Sequence, residues 1–199
     1  MFLSALDISF SNTGIAHIDT ENKTITLSSL PGDKAPHKKF NEIQKSIHEY
    51  TLPQLCVHLA KTTFLVYEEP FPFGSFSSGL YALDTAIIQK FYHIPHFSYH
   101  PRTLEQIHKT NSHTKNQSKN LAFLLIQLFI WEGYEIIYPD KKKIPHDTCE
   151  ALIYACLYLS QNNCFSNPLH QNLLTLLDTS KPEKKKKKKT EKEVSPSAS

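Results

Sequence analysis

Glycine is scarce in this 199-residue chain, with five residues in all. So few cannot supply the phosphate loops of a sugar or acetate kinase, and that class of fold relative is set aside. Arginine is scarcer still: Arg102 is the single one among 22 basic residues, which excludes extensive guanine readout through bidentate guanidinium contacts. The four cysteines, Cys56, Cys149, Cys156 and Cys164, show no CxxC spacing and fall short of a disulfide framework. They fit a reducing compartment and imply no zinc. No run approaches the roughly 20 apolar residues of a membrane span. The longest, Leu121 to Trp131, is interrupted by Gln127, so no membrane partner is expected. The first charged side chain is Asp7, which leaves no basic region of a secretory signal ahead of it.

Charge is unevenly placed. The formal net charge is +3, yet residues 181–199 carry eight lysines and three glutamates, a net of +5, which leaves about −2 for residues 1–180. The body is therefore a near-neutral globule and not a uniformly basic nucleic-acid binder. The Lys-rich tail, 181–199, has no apolar content to bury and is expected to be disordered. Phosphate affinity, a localisation signal and simple solubilisation are all open to it.

The body reads as one domain, 1–180, of α/β class. Phe2 to Ile8 is a short apolar β run ending in Asp7, Ser11 to Gly14 is turn chemistry, and Ile15 to Ile18 returns as a second strand. Lys23 to Leu27 alternates as a third, half-buried strand would. From His37 to Ala60 apolar residues recur at helical spacing, with a kink or restart at Pro53. Thr63 to Tyr67 is a continuous apolar run suited to a strand covered on both faces, ending in Glu68-Glu69-Pro70. A loop bearing Phe71, Phe73 and Phe76 leads into a helical pattern over Gly79 to Tyr92. His96 to Tyr99 and Tyr134 to Tyr138 are further strand candidates. Helices are expected over Arg102 to His108, Lys115 to Trp131 (stopped by Gly133), Asp147 to Leu159 and Leu169 to Leu177. The order predicts a mixed five-stranded sheet, three antiparallel strands followed by parallel ones, with helices on both faces.

Acids stand at the ends of three of these core elements: Asp7, Glu68 with Glu69, and Asp147 with Glu150. The i, i+3 spacing places the last two on one helix face, at a helix start. Each alone is read equally well as a turn cap, a solvated strand end or ordinary first-turn acids. Brought together they would repel unless cations sat among them, and all-oxygen ligands of this kind suit Mg²⁺ or Mn²⁺. Two such ions are the apparatus for in-line attack on a phosphodiester.

Leu6-Asp7-Ile8-Ser9 followed by Asn12-Thr13-Gly14-Ile15-Ala16 resembles the opening motif of RuvC-type Holliday junction resolvases of the ribonuclease H-like superfamily, phage-like members especially. Val66-Tyr67-Glu68-Glu69-Pro70-Phe71 resembles their second motif, and His146-Asp147-Thr148-Cys149-Glu150-Ala151-Leu152 their closing one, with Glu150 where many relatives carry Asp. The likeness runs over about residues 1–160. It implies a ribonuclease H-like nuclease domain in which Asp7, Glu68, Asp147 and Glu150 are catalytic and hold two Mg²⁺ or Mn²⁺ ions, with Glu69 a neighbour. It implies that Phe71, and less directly Phe73, stack on opened bases, and it makes Lys115 and Lys119 candidates for DNA contact. His146, beside the acids, is a candidate for proton transfer or a surface histidine.

The activity so implied is a structure-selective endonuclease that resolves four-way DNA junctions by two-metal phosphodiester hydrolysis, leaving 5′-phosphate and 3′-hydroxyl ends. The implied partner state is a homodimer, to which the Gly79 to Tyr92 helix could lend Leu80, Leu83, Ile87, Ile88 and Phe91, a stripe equally explained as core. The implied setting is the cytoplasm of a bacterial or phage-infected cell, with a nucleus or organelle as alternatives. Two other readings stay open: a non-catalytic nucleic-acid-binding or scaffold protein of this fold, and a nuclease of the fold acting on other branched DNA or RNA. A proofreading-type exonuclease fits less well, since Ser9 stands where it needs a second acid.

Overall fold

The hairpin that opens the chain becomes the middle of the sheet. In the computed structural model, which describes residues 1–9, 12–32, 40–70, 77–109, 114–138 and 144–178, the first apolar run forms β1 (Phe2–Asp7). It pairs antiparallel with β2 (Asn12–Asp19), and β2 with β3 (Thr24–Pro31). One expectation is corrected here. Asn12, Thr13 and Gly14 are strand residues and not the turn, because pairing continues to Asp7 opposite Gly14 and Asn12 opposite Pro31. Phe71, Phe73, Phe76 and the tail 181–199 lie outside the described residues.

Strand β4 (Phe64–Glu68) runs parallel to β1, β5 (His96–Tyr99) parallel to β4, and β6 (Glu135–Ile137) parallel to β3. The order is β5-β4-β1-β2-β3-β6, six strands in place of the expected five. The sixth arises because β3 offers an open edge on which the short Glu135–Ile137 segment docks, extended by the Glu135 N–H donating to Lys23 O at 2.9 Å.

The helices are α1 (Phe40–Ser46), α2 (Leu52–His58), α3 (Ser77–Lys90), α4 (Thr103–Ile107), α5 (Lys115–Trp131), α6 (His146–Gln161) and α7 (Leu169–Leu176). Between α1 and α2 the chain widens over Ile47–Thr51, where the Leu52 N–H reaches back five residues to Ile47 O. Pro53 accounts for the wider turn, since its ring cannot follow a regular turn and has no N–H to donate. None of the described helices is long and apolar enough to cross a membrane.

Strand alternation divides the core into two. Leu3, Ala5, Ala16, Ile18 and Val66 face α5, α6 and α7, while Leu6, Ile15, Leu65 and Tyr67 face α2 and α3. Of the α3 stripe, Leu83, Ile87 and Phe91 are buried in the second core, while Leu80 and Ile88 are half-buried. Helix α6 is buried almost all round, from Thr148 to Leu157, as expected of a helix that is apolar on every face. It crosses β1 and β2 so closely that a Cβ on Gly14 would lie 2.1 Å from the Asp147 carbonyl carbon and 2.3 Å from the Thr148 nitrogen.

That contact makes Gly14 indispensable for reasons of space. Gly14→Ala must push back the start of α6, at a cost of about 1–3 kcal/mol, the range for overpacking a filled core. Urea unfolding at equilibrium measures it, and an unchanged midpoint would show that α6 does not seat on β2 in this way.

Candidate metal centre

Two strand ends and one helix start meet at a single edge of the α6 layer. Alternation puts Asp7 on the same face as Leu3 and Ala5, toward α6. On β4 it puts Glu68 on the face of Val66, again toward α6, and Glu69 on the opposite one. Leu6 pairs with Tyr67 in the parallel ladder, so the next step sets Asp7 beside Glu68. Glu69 instead accepts a hydrogen bond from Ser98 Oγ at 2.6 Å in the open, and takes no part in the cluster.

The start of α6 supplies the third side. Thr148 Oγ1 donates to Ser28 O at 2.9 Å, and Asn12 Nδ2 donates to Asp147 Oδ2 at 2.8 Å, tying the helix to β3 and β2. Glu150, one turn on, then points at the end of β1. A fourth element steadies it. Helix α5 begins in a reciprocal cap, the Gln117 N–H donating to Thr114 Oγ1 at 3.3 Å and the Thr114 N–H to Gln117 Oε1 at 2.7 Å. The cap positions Ser118, whose Oγ donates to Glu150 Oε1 at 2.9 Å. His146 Nε2 lies 3.2 Å from the same oxygen.

Carboxylate oxygens of Asp7, Glu68 and Glu150 all come within 4.8 Å of one another. Asp7 and Glu150 are buried, at 7% and 6% exposure. Burial raises the Asp7 carboxyl well above the usual range, and the charges of Glu68, Glu150 and Asp147 raise it further. Burial, then Glu150, pushes Glu68 up to about 7, against the opposing influence of the neighbouring Asp7 and Tyr154 side chains. The Tyr154 hydroxyl is shut away from solvent beside Glu68, and burial with the three acids holds it protonated far above the ordinary tyrosine range.

Of the residues singled out in the sequence, three share the cluster, and Asp147 borders it, near enough to act on Asp7 and held by Asn12. His146 reaches Glu150, while Lys115 and Lys119 are exposed on the first turns of α5, beyond Ser118. Asn12, Ser118 and Tyr154 were not anticipated. Tyr154 had a signal, since 147, 150 and 154 share one helix face, and Asn12 lay within the opening motif; Ser118 had none.

The donor set suits a hard divalent cation. It is carboxylate oxygen throughout, with no thiolate or imidazole in the cluster, and its desolvated like charges need a positive partner to coexist as anions.

No protein-family model and no curated protein matches the chain. Among solved structures, Thermus thermophilus RuvC is 17% identical with a TM-score of 0.52, the alignment covering 92% of this chain and 99% of that one. The chain therefore has the ribonuclease H-like fold of that protein. T. thermophilus RuvC in complex with Holliday junction substrate (15% identity, TM-score 0.48, 92% and 99% covered) and fowlpox virus resolvase with substrate Holliday junction DNA (14%, 0.49, 81% and 99%) are also similar.

The raised Glu68 pKa has a definite sign. A carboxyl at about 7 when folded and 4.5 when unfolded favours folding below pH 4.5, a benefit lost as pH rises through 7. Relative to Glu68→Gln, the metal-free wild type should gain about 2–3 kcal/mol between about pH 8 and about pH 4.5. The comparison cancels His17, which acts oppositely because burial lowers it to about 4. At the alkaline end Mg²⁺ should stabilise wild type by about 2.7 kcal/mol at a hundred times its Kd, and Glu68→Gln far less. Thermal unfolding reads both effects, and equal Mg²⁺ responses would remove the cation from the cluster.

Proposed function

We propose that the protein is a RuvC-type, metal-dependent endonuclease that nicks four-way DNA junctions. The observation that carries the reading is the meeting of Asp7, Glu68 and Glu150 at the ends of separate core elements, in the fold shared with RuvC. On this reading Asp147 completes a catalytic set of four acids, residues 1–180 form the nuclease domain, and 181–199 are a basic tail with affinity for phosphate.

A pair of Mg²⁺ or Mn²⁺ ions bound there would supply neutralising charge for the attacked phosphate and a more acidic water. The chain's own part is to hold ligands and protons in place. Asp7, whose carboxylate lies within 4.8 Å of those of Glu68 and Glu150, would hold the ions together with them. Ser118 and His146 fix the Glu150 oxygen, and Asn12 fixes Asp147, so the ligand oxygens are oriented before substrate arrives. Water oxygen bonds to phosphorus as the bond to the 3′ oxygen breaks, which yields a 5′-phosphate and a 3′-hydroxyl. His146 is assigned to carry the proton leaving the water, and the departing 3′ oxygen takes a proton from solvent to become the hydroxyl. Lys115 and Lys119, exposed beside the cluster, contact phosphates, and Phe71 and Phe73 stack on bases at the opened junction. With Arg102 the sole arginine, selection is by DNA shape more than by base edges.

Cleavage of synthetic four-way junctions, forks, flaps and plain duplex at matched salt tests this. Wild type with Mg²⁺ should cut the junction in preference to duplex, and Glu68→Gln should lose about 10³-fold or more, the scale of removing a preorganised charge-stabilising group. Glu69→Gln, one residue along but on the other face, should stay near wild type. Equal cutting of duplex would end the junction reading, and an active Glu68→Gln would end the site assignment.

A further inference from the structure

Tyr154 is the largest of the fully buried side chains among the described residues, yet its polar end is unpaired. Its exposure is 0%, its hydroxyl is shut away from solvent, and no described residue forms a hydrogen bond with it. A buried hydroxyl left in that state is destabilising, and native cores hold few of them. Phenylalanine would fill the same space without that cost, so the oxygen at this position calls for a partner that protein packing alone does not provide.

Helix α6 and strand β5 fix where that oxygen lies. Tyr154 follows Glu150 by four residues and Asp147 by seven, so α6 carries it on the face of the acids. Its ring stacks on that of Tyr99, with centroids 5.6 Å apart and 18° between the planes. Tyr99 of β5 is the direct partner of Glu68 in the parallel ladder, and the two side chains leave the sheet on the same face. The Tyr99 ring is itself held, its hydroxyl donating to Gln161 Oε1 at 2.7 Å. A phenol laid over Tyr99 therefore ends beside Glu68, and the charged groups around its hydroxyl are Glu68, Asp7 and Glu150. Ionised carboxylates only accept hydrogen bonds, so the hydroxyl can meet them only as a donor.

We propose that Tyr154 is a positioning residue for Glu68: its hydroxyl donates to the Glu68 carboxylate when that carboxylate holds a divalent cation, and so fixes the orientation of the ligand. The pattern matches the rest of the cluster. Ser118 Oγ donates to Glu150 and Asn12 Nδ2 to Asp147, and Tyr154 stands where the corresponding donor to Glu68 belongs. Partners of this kind orient metal ligands and strengthen their hold on the ion. Tyr154 acts through Glu68 and transfers no proton. The inference rests on the proposed cation at this cluster, though not on the substrate or on junction selectivity.

Mn²⁺ binding to the full chain, read by isothermal titration calorimetry, tests it with Tyr154→Phe, which keeps the ring and removes only the oxygen. The Kd for Mn²⁺ should rise by about 10- to 100-fold, the usual loss when a metal ligand is deprived of its outer partner. In EDTA the same variant should melt no lower than wild type, since the hydroxyl removed has no bond to lose. Tyr99→Phe, which keeps the stacked ring and gives up a hydroxyl bonded to Gln161, should bind Mn²⁺ as wild type does. An unchanged Kd in Tyr154→Phe, alongside lost binding in Glu68→Gln, would overturn the inference and leave the cation in the cluster. A Kd raised as far by Tyr99→Phe, or a lower Tm of Tyr154→Phe in EDTA, would reduce Tyr154 to a packing residue and overturn it as well. Wild type that binds no Mn²⁺, or Glu68→Gln that binds it equally, would remove the cation from the cluster and this inference with it.

Discussion

Like charges confined in a dry space are what the rest of this structure has to answer for. Asp7 and Glu150 are buried, Glu68 is half-buried, and burial together with the neighbouring acids raises the carboxyls of Asp7 and Glu68. A fold optimised for stability alone would place apolar groups at the end of β1, as it does at Ala5 and Leu3 one and two pleats earlier on the same face. The cluster persists because the sheet and α6 over-determine it: β1 and β4 are locked by their parallel register, and α6 is buried along most of its length. The electrostatic cost is local, while the packing that offsets it extends over both cores.

Close approach of backbone to backbone sets the geometry of the site. Gly14 is paired with Asp7 and lies against the Asp147 carbonyl, so the same residue that sits opposite the first acid admits the helix that brings the others. Around this contact the polar residues act in sequence: Asn12 holds Asp147, Thr148 holds β3, and the capped start of α5 brings Ser118 to Glu150. Helix α5 thus brings its first turns to the acids, while its later turns pack Leu121, Leu125 and Phe129 into the core.

Much of this was legible from local pattern, because the relevant periods are short. Alternation along β4 separates Glu68 from Glu69, and the helical repeat aligns Asp147, Glu150 and Tyr154; both follow from the chain's own geometry. The same logic located most strands and helices to within a few residues. What could not be read depends on partners distant in sequence. Gly14 looked like a turn residue because a glycine needed for clearance and one needed for a turn are identical in sequence, and the contact that decides lies at Asp147. Ser118 is an ordinary helix serine until α6 packs beside it. The sixth strand was visible as a segment, but its place at the edge of β3 is a tertiary choice. The apolar spacing on α3 left core and interface open because buried and exposed stripes have the same period, and the structure buries Leu83, Ile87 and Phe91 of it.

Crystals of the protein soaked in Mn²⁺, with data collected at the manganese absorption edge, would examine the central claim at its source. The account predicts anomalous density between the carboxylates of Asp7, Glu68 and Glu150, extending toward Asp147, and its absence in Glu68→Gln crystals treated alike. Manganese bound elsewhere with that position empty, or density unchanged by the substitution, would contradict it.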